Sequence, residues 1–426
     1  MIDLLVTHAG ELITCRIDHR GRGGESQEFE IIPDGAVAID KERIIDIGET
    51  SMLLLRYSDF KELLDAQGML VSPGLVDCHS HLLYAGSRHG EYERLISNRS
   101  GKGAPLDSGI RYTVGKTRQA SEESLKHQAL ADLDIMLSYG TTTLEVKTGY
   151  GLDHDTELRL LRIQYSLKHK IDLVSTYLGA HVLPDGYQNR RSDFVDLVVN
   201  TLPEAKEYAE YCDVCCDPIG FTRIECTKIC EAAIKLGFHL KVHADQTGNA
   251  GGAELAAQFK ATSADHLDCI SPTGIREMVK SGTVGVLLPS VTFHMMEMVS
   301  RVEDGNLIPG IKTYLPLLVS QLIESGMRLA ISADYNPGSS PSQSMQMAMQ
   351  TAARLYRLNY PEIWRMSTIN AASALDRQND RGSIEIGKRA DLVIWKVPEH
   401  GMVINRFGVN LVSSVVKNGK IVINRK

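Results

Sequence analysis

The 426-residue chain contains no stretch of about 18 uncharged apolar residues, so a membrane-spanning helix is not expected. Its N-terminus, MIDLLVTHAGELITC, lacks a basic region followed by a long apolar stretch, and without a secretion signal the chain reads as cytoplasmic. Lys/Arg-rich blocks are missing as well, and the formal net charge is −7. That removes the electrostatic ground for nucleic acid or an anionic membrane as partner. No GxSxG elbow supports a serine nucleophile, the glycines of GKGAPLDSG match neither a Walker nor a dinucleotide fingerprint, and no repeat of solenoid length occurs. Cysteine is present, but CDVCC at 212–216 with Cys226 and Cys230 does not form two separated CxxC pairs. These residues read as small buried hydrophobes rather than a zinc site.

What is there is an ordinary globular composition, 43% hydrophobic and 23% charged, long enough for a large core. From about residue 73 to 345 a short apolar run, a turn and a helically spaced stretch alternate. The runs are LVDCHSH (75–81), TTLEV (142–146), LVSTYLGAH (173–181), YCDVCC (211–216), HLKVHAD (239–245), TSADHL (262–267), TVGVLLP (283–289) and RLAISAD (328–334). Between them, SEESLKHQALADLDIMLSYG and TRIECTKICEAAIKLG carry helix start and stop signals. Eight βα alternations predict a closed (β/α)8 TIM barrel, with an open doubly wound sheet as the alternative. The flanks alternate like strands, in GAVAIDKERIIDIG and in VSSVVKNGKIVINRK. We expect them to pair as a small β-sandwich domain built from both chain ends, residues 1–72 and 382–426, around a barrel over 73–381.

Polar residues close several of these runs, where barrel enzymes carry their active sites. His79 and His81 are two apart in the first run, which puts both imidazoles on one face of a strand. His181, His243, His266 and Asp334 end the third, fifth, sixth and eighth runs. Neutral imidazoles with a carboxylate suit a divalent transition metal better than Mg²⁺ or Ca²⁺, and zinc or iron is the expected ion. Such an ion lowers the pKa of its water from 15.7 to about 7, giving a nucleophile at neutral pH.

PGLVDCHSHL, KVHAD, SADH, ISAD and GSIEIGKRADLVIW resemble the amidohydrolase superfamily. YAGSR, EVKTGYGLD, LGAHVLP, KVHADQ, GGAELAA, ISADYNPGSSP and STINAA resemble, more narrowly, its imidazolonepropionase family, over about residues 70 to 395. The resemblance implies one divalent metal per chain on His79, His81, His243 and Asp334. It also implies a small-molecule substrate, 4-imidazolone-5-propanoate, opened by hydrolysis to N-formimidoyl-L-glutamate, and an enzyme that can form a homodimer. Arg88 would grip the substrate carboxylate, with Tyr150, His181, Gln246, Asn336, Gly338 and Ser339 as further contacts. Asp334 aided by His266 would move the proton, and His181 would help stabilise the oxyanion. Three departures stand out: the segment 101–114 is atypical, Gln246 stands where some relatives carry Glu, and Lys147 is taken as structural. The alternatives are another superfamily deaminase or cyclic amidase acting on a different nitrogen heterocycle, and a barrel that binds without catalysis.

Overall fold

The computed structural model describes residues 1–16, 29–97, 109–303 and 306–425. Eight parallel strands form one sheet: Leu75–Asp77, Thr141–Lys147, Asp172–Ala180, Tyr211–Cys216, His239–Ala244, Ser263–His266, Val284–Leu287 and Leu329–Ile331. Each lies inside or within one residue of one of the eight apolar runs, and they neighbour one another in chain order. An isolated parallel bridge between Ser80 and Tyr335 joins the first segment to the last and brings the sheet round into a near-closed barrel.

The crossovers are helical for local reasons. Ser121 caps the helix Glu122–Ser138 by accepting from the Ser124 N–H, and the chain leaves it through Gly140 at φ +94°. Thr222 and Glu225 form a reciprocal capping box at the start of Arg223–Lys235. Apolar faces of these helices and the outward side chains of the strands share one core; Cys212, Cys216, Cys226 and Cys230 belong to it, and Cys215 is buried beside them. Burial pushes the Cys212 and Cys215 thiols far up, so they behave as the small hydrophobes the sequence suggests. Of the atypical segment 101–114, residues 101–108 lie outside the described ones, and a helix runs from Ile110 to Gln119.

Both chain ends enter a second eight-stranded sheet. Its N-terminal members are Ile2–Ile13, Ile31–Asp40, Arg43–Glu49, Phe60–Asp65 and Val71–Pro73, and its C-terminal members are Leu392–Trp395, Val412–Lys417 and Lys420–Asn424. Leu392–Trp395 pairs antiparallel with Val71–Pro73, which sutures the two ends. Ile2–Ile13 pairs with three other strands and shifts register between Val6 and Ala9, so the layers are halves of one continuous sheet. They close over Leu4, Leu12, Val37, Leu64, Leu392 and Val416.

An ionic clamp fastens this sheet to the barrel. Asp172, which opens the third barrel strand, accepts from Arg381 at 2.5 Å and from Lys417 at 2.8 Å. Lys417 also reaches Asp391 at 2.6 Å, and Asp380 collects Arg43 at 2.6 Å and Arg381 and Arg389 at 2.9 Å each. Trp364 of the barrel meets Trp395 of the sheet edge to face, with centroids 5.5 Å apart.

Candidate active site

Six residues that the sequence places at strand ends converge at one mouth of the barrel. The first and last strands are shorter than their apolar runs, ending at Asp77 and Ile331, so His79, His81 and Asp334 stand just beyond the ladder. Extended geometry persists through the Ser80 bridge, and the two imidazoles stay on one side with ring centroids 5.5 Å apart. Two residues leave their strands in the left-handed region, His266 at φ +80° and Asp334 at φ +51°. That conformation costs of order 1–3 kcal/mol for such residues and turns both side chains inward.

The His79 ring lies 4.5 Å from His243 and 5.5 Å from His266, while His81 stacks on His181 at 5.1 Å. Asp334 Oδ1 is 3.6 Å from His79 Nε2 and 3.7 Å from His81 Nε2. Three sets can each bring ligand atoms within 4.8 Å of one another: His79 with His243 and His266, His81 with His181 and His243, and His79 with His81 and Asp334. His79 Nε2, His266 Nδ1 and Asp334 Oδ1 are buried and have no hydrogen-bond partner among the described residues. Orphaned polar atoms aimed at one point are costly unless something binds them, and a divalent cation fits.

The far side of each ring is held. His79 Nδ1 donates to Asp265 at 2.7 Å and His243 Nδ1 to Asp213 at 2.9 Å. His81 Nδ1 meets the Thr148 carbonyl at 3.3 Å, and His181 Nδ1 the Gly149 carbonyl at 3.1 Å. A carbonyl only accepts, so these contacts place the proton on Nδ1 and leave Nε2 as a lone pair. Burial holds His79, His81 and His266 far below the usual imidazole value and His181 at about 3, so all four are neutral ligands or acceptors at pH 7. For His181, a neutral ring that donates through Nδ1 leaves Nε2 as an acceptor facing the cluster.

Beneath the imidazoles lies a fully buried ionic network. Lys147 bridges Glu145 at 3.0 Å, Asp213 at 2.7 Å and Asp265 at 3.4 Å, and Lys241 reaches Glu145 at 2.7 Å. Lys147 is thus engaged as an ammonium among carboxylates, in keeping with its structural reading. Among the described residues the ammonium groups of Lys147 and Lys241 meet three carboxylates, Glu145, Asp213 and Asp265, a negative excess that a divalent cation above them would offset. Asp213 and Asp265 were not anticipated as functional. The signal was a carboxylate inside each apolar strand, one in YCDVCC and one in SADH.

A second group of side chains lines the approach. Tyr150 sits 5.4 Å from His81 and 5.7 Å from His181, in a GYG loop whose N–H groups at Gly149, Gly151 and Leu152 converge on buried Glu157. Gly149 has φ +106°, and a Cβ there would fall 2.8 Å from His181 Nδ1, so only glycine lets that ring dock. The segment after Asp334 packs against Arg88: a Cβ on Gly338 would lie 1.8 Å from Arg88 Nη1. Asn336 spends its amide on this turn, donating to Asp334 O and Ser339 Oγ and accepting from the Gly338 and Ser339 N–H groups at 2.9 and 2.8 Å. Gln246 is the predicted residue that no side-chain contact ties to the cluster among the described residues; its N–H donates to Asp217 at 2.8 Å.

Comparison with known proteins agrees with this geometry. The profile of the Amidohydrolase family matches residues 217–422. An imidazolonepropionase of Bacillus velezensis is 38% identical over 434 aligned residues, covering 100% of this chain and 98% of the relative. One from Treponema denticola is 40% identical over 401 residues, 93% of each. Among solved structures, an adenosine deaminase from Xanthomonas campestris with bound zinc superposes with a TM-score of 0.71 at 17% identity, covering 100% of this chain and 93% of that one. A 5-methylcytosine deaminase from Klebsiella pneumoniae gives 0.73 at 16% identity, covering 99% and 98%; these two likenesses concern the fold. By its full-length likeness to these relatives, the chain belongs to the imidazolonepropionase family of amidohydrolases.

Proposed function

We propose that the chain hydrolyses 4-imidazolone-5-propanoate to N-formimidoyl-L-glutamate, with one zinc or iron ion on His79, His81, His243 and Asp334. The observation that carries it is the meeting of the imidazole–carboxylate cluster with Arg88, a guanidinium suited to the substrate's carboxylate. A divalent transition metal there supplies Lewis acidity and makes hydroxide accessible near neutral pH.

The chain's own groups do the rest. Arg88 holds the propanoate arm beside Gly338 and Ser339, in the loop closed by Asn336, and Tyr150 flanks the ring, which fixes the carbonyl carbon for attack. His181 accepts the ring N–H through Nε2, the atom its contact with Gly149 leaves free. Asp334 takes the proton from the attacking water and passes it to the ring nitrogen as the carbon–nitrogen bond breaks, with His266 orienting that water. Without the ion, burial pushes the Asp334 carboxyl up to about 7, so a cation must displace a proton to take it as a ligand near neutrality. Gln246, on the loop after His243, contributes a neutral amide to the ring.

On the same reading the barrel domain is residues 73–381 and the β domain is residues 1–72 with 382–426. We further propose, on the family likeness alone, a cytoplasmic enzyme that forms a homodimer. Among the described residues no helix is long and apolar enough to cross a membrane. Elemental analysis of the purified protein with turnover of 4-imidazolone-5-propanoate tests the proposal. About one zinc or iron per chain and formation of N-formimidoyl-L-glutamate are expected; two metals per chain, or no turnover by metal-loaded protein, would overturn it.

A further inference from the structure

We infer that Glu91 is a positioning residue that selects which edge of the Arg88 guanidinium is offered to the substrate, and so sets the preference for a carboxylate-bearing arm. The inference rests on the assignment of Arg88 to that carboxylate. Arg88 is bound on one side already: Nε donates to Glu91 Oε2 at 3.0 Å and Nη2 to Glu91 Oε1 at 2.6 Å, a two-pronged pair three residues apart. A guanidinium carries five N–H groups in a rigid fork, so a second planar edge, Nη1 with the outer N–H of Nη2, remains. Nη1 is the atom that touches Gly338, where a Cβ would fall 1.8 Å away. The free edge therefore faces the loop running from Asp334 to Ser339, at the barrel mouth.

Glu91 is itself held. Its Oε2 also accepts the Gly109 N–H at 2.6 Å, so one carboxylate fastens Arg88 to the point where the chain re-enters the helix Ile110–Gln119. The residue after Glu91, Tyr92, stacks on His294 with centroids 4.0 Å apart and planes 17° from parallel. That contact docks the helix His89–Ser97, which buries none of its own residues, onto the end of the short helix Pro289–His294 that follows the seventh strand. Glu91 keeps its charge: burial raises its pKa, but Arg88 and the Gly109 N–H outweigh this and hold it below the usual carboxylate value. Glu91 and Arg88 are both partly exposed, so the pair resists rotation of a long side chain more than it adds to folding stability.

Two physical effects oppose each other, and this makes the idea testable. If Glu91 mainly neutralised Arg88, removing its charge would tighten carboxylate binding. If it mainly orients the fork, removing the charge-assisted contacts frees the guanidinium to turn away and weakens it. Steady-state kinetics of metal-loaded wild type, Glu91→Gln and Arg88→Lys should be measured on 4-imidazolone-5-propanoate and on the same ring bearing an ethyl arm. For Glu91→Gln we expect KM for the acid to rise roughly tenfold, with kcat within about twofold and unchanged kcat/KM on the ethyl compound. An unchanged or lowered KM for the acid, or equal losses on both substrates, overturns the inference. Arg88→Lys separates the levels: if it too leaves the preference for the acid untouched, the assignment of Arg88 falls first and the role of Glu91 with it.

Discussion

At the scale of single residues, the side chains behind the imidazole cluster are as testable as the proposed ligands. Asp265 donates nothing to an ion directly, yet it fixes the His79 ring through a 2.7 Å contact. Asp265→Asn should weaken metal affinity by about 10- to 100-fold in chelator competition while the barrel stays folded. Asp334→Asn keeps an oxygen ligand but loses the proton acceptor, so some metal should remain while turnover falls by about 10²-fold or more. His266→Gln should retain full metal content with a similar loss. Because His266 can offer an atom within 4.8 Å of those of His79 and His243, an emptied site in that variant would make it a ligand. The metal-free protein should also show a pH signature. Burial raises the Asp334 carboxyl to about 7, whereas the imidazoles of His79 and His81 stay neutral well below that pH. Metal affinity, measured by titration of the apoprotein, should therefore fall below about pH 7 by up to tenfold per unit, the slope of one displaced proton.

Elements show why the barrel was legible and parts of the site were not. All eight strands were visible as short apolar runs, five of them with His or Asp at their ends, because parallel strands covered by helices must be apolar on both faces. Their ends were harder to read. LVDCHSH looks like one strand, but pairing stops at Asp77, and the two histidines stand in the extended segment that follows. Likewise nothing in ISAD announces that Asp334 turns into the left-handed region. That these histidines and Asp334 converge was nonetheless readable from residue type and period. The support beneath them was not, because Glu145, Lys147, Asp213 and Lys241 satisfy one another across three different strands, a relation that no local pattern contains. Loop chemistry gives a prediction at this scale. Gly338 has no left-handed φ, but a methyl group there would displace Arg88 Nη1. Gly338→Ala should raise KM roughly tenfold or more in steady-state assays, since small misplacements at a binding group cost up to about 10²-fold, with little change in thermal midpoint.

For the molecule as a whole, the clamp around Asp172 and Asp380 binds the sheet of the two chain ends to the barrel. Removing one member leaves buried Lys417 short of a partner, and Asp172→Asn should cost about 1–3 kcal/mol, less than a fully buried pair because Asp172 is partly open to solvent. The effect should depend on pH in a definite direction. Burial raises the Asp380 carboxyl, but Arg381, Arg43 and Arg389 together bring it to about 2, and Asp172 is likewise held low by Lys417 and Arg381 against its own burial. Depressed carboxylates contribute their stability above the ordinary aspartate value of about 3.9 and lose it as pH falls through the folded value. Thermal unfolding of wild type and Asp172→Asn should differ most near neutrality and converge as pH falls below the ordinary aspartate range.

The seam of the barrel has a consequence for how the protein comes into being. Tyr84 reaches Tyr335 at 2.8 Å across 251 positions of sequence, and the Asp334 N–H donates to the His79 carbonyl at the same junction. The histidines made earliest thus meet their carboxylate partner only after most of the chain has left the ribosome. Contacts so distant in sequence slow folding, and a chain cut short before Asp334 lacks the carboxylate of the four residues proposed to hold the ion. Full metal affinity is therefore expected only of the finished chain, and fragments ending before Asp334 should bind the ion more weakly in chelator competition.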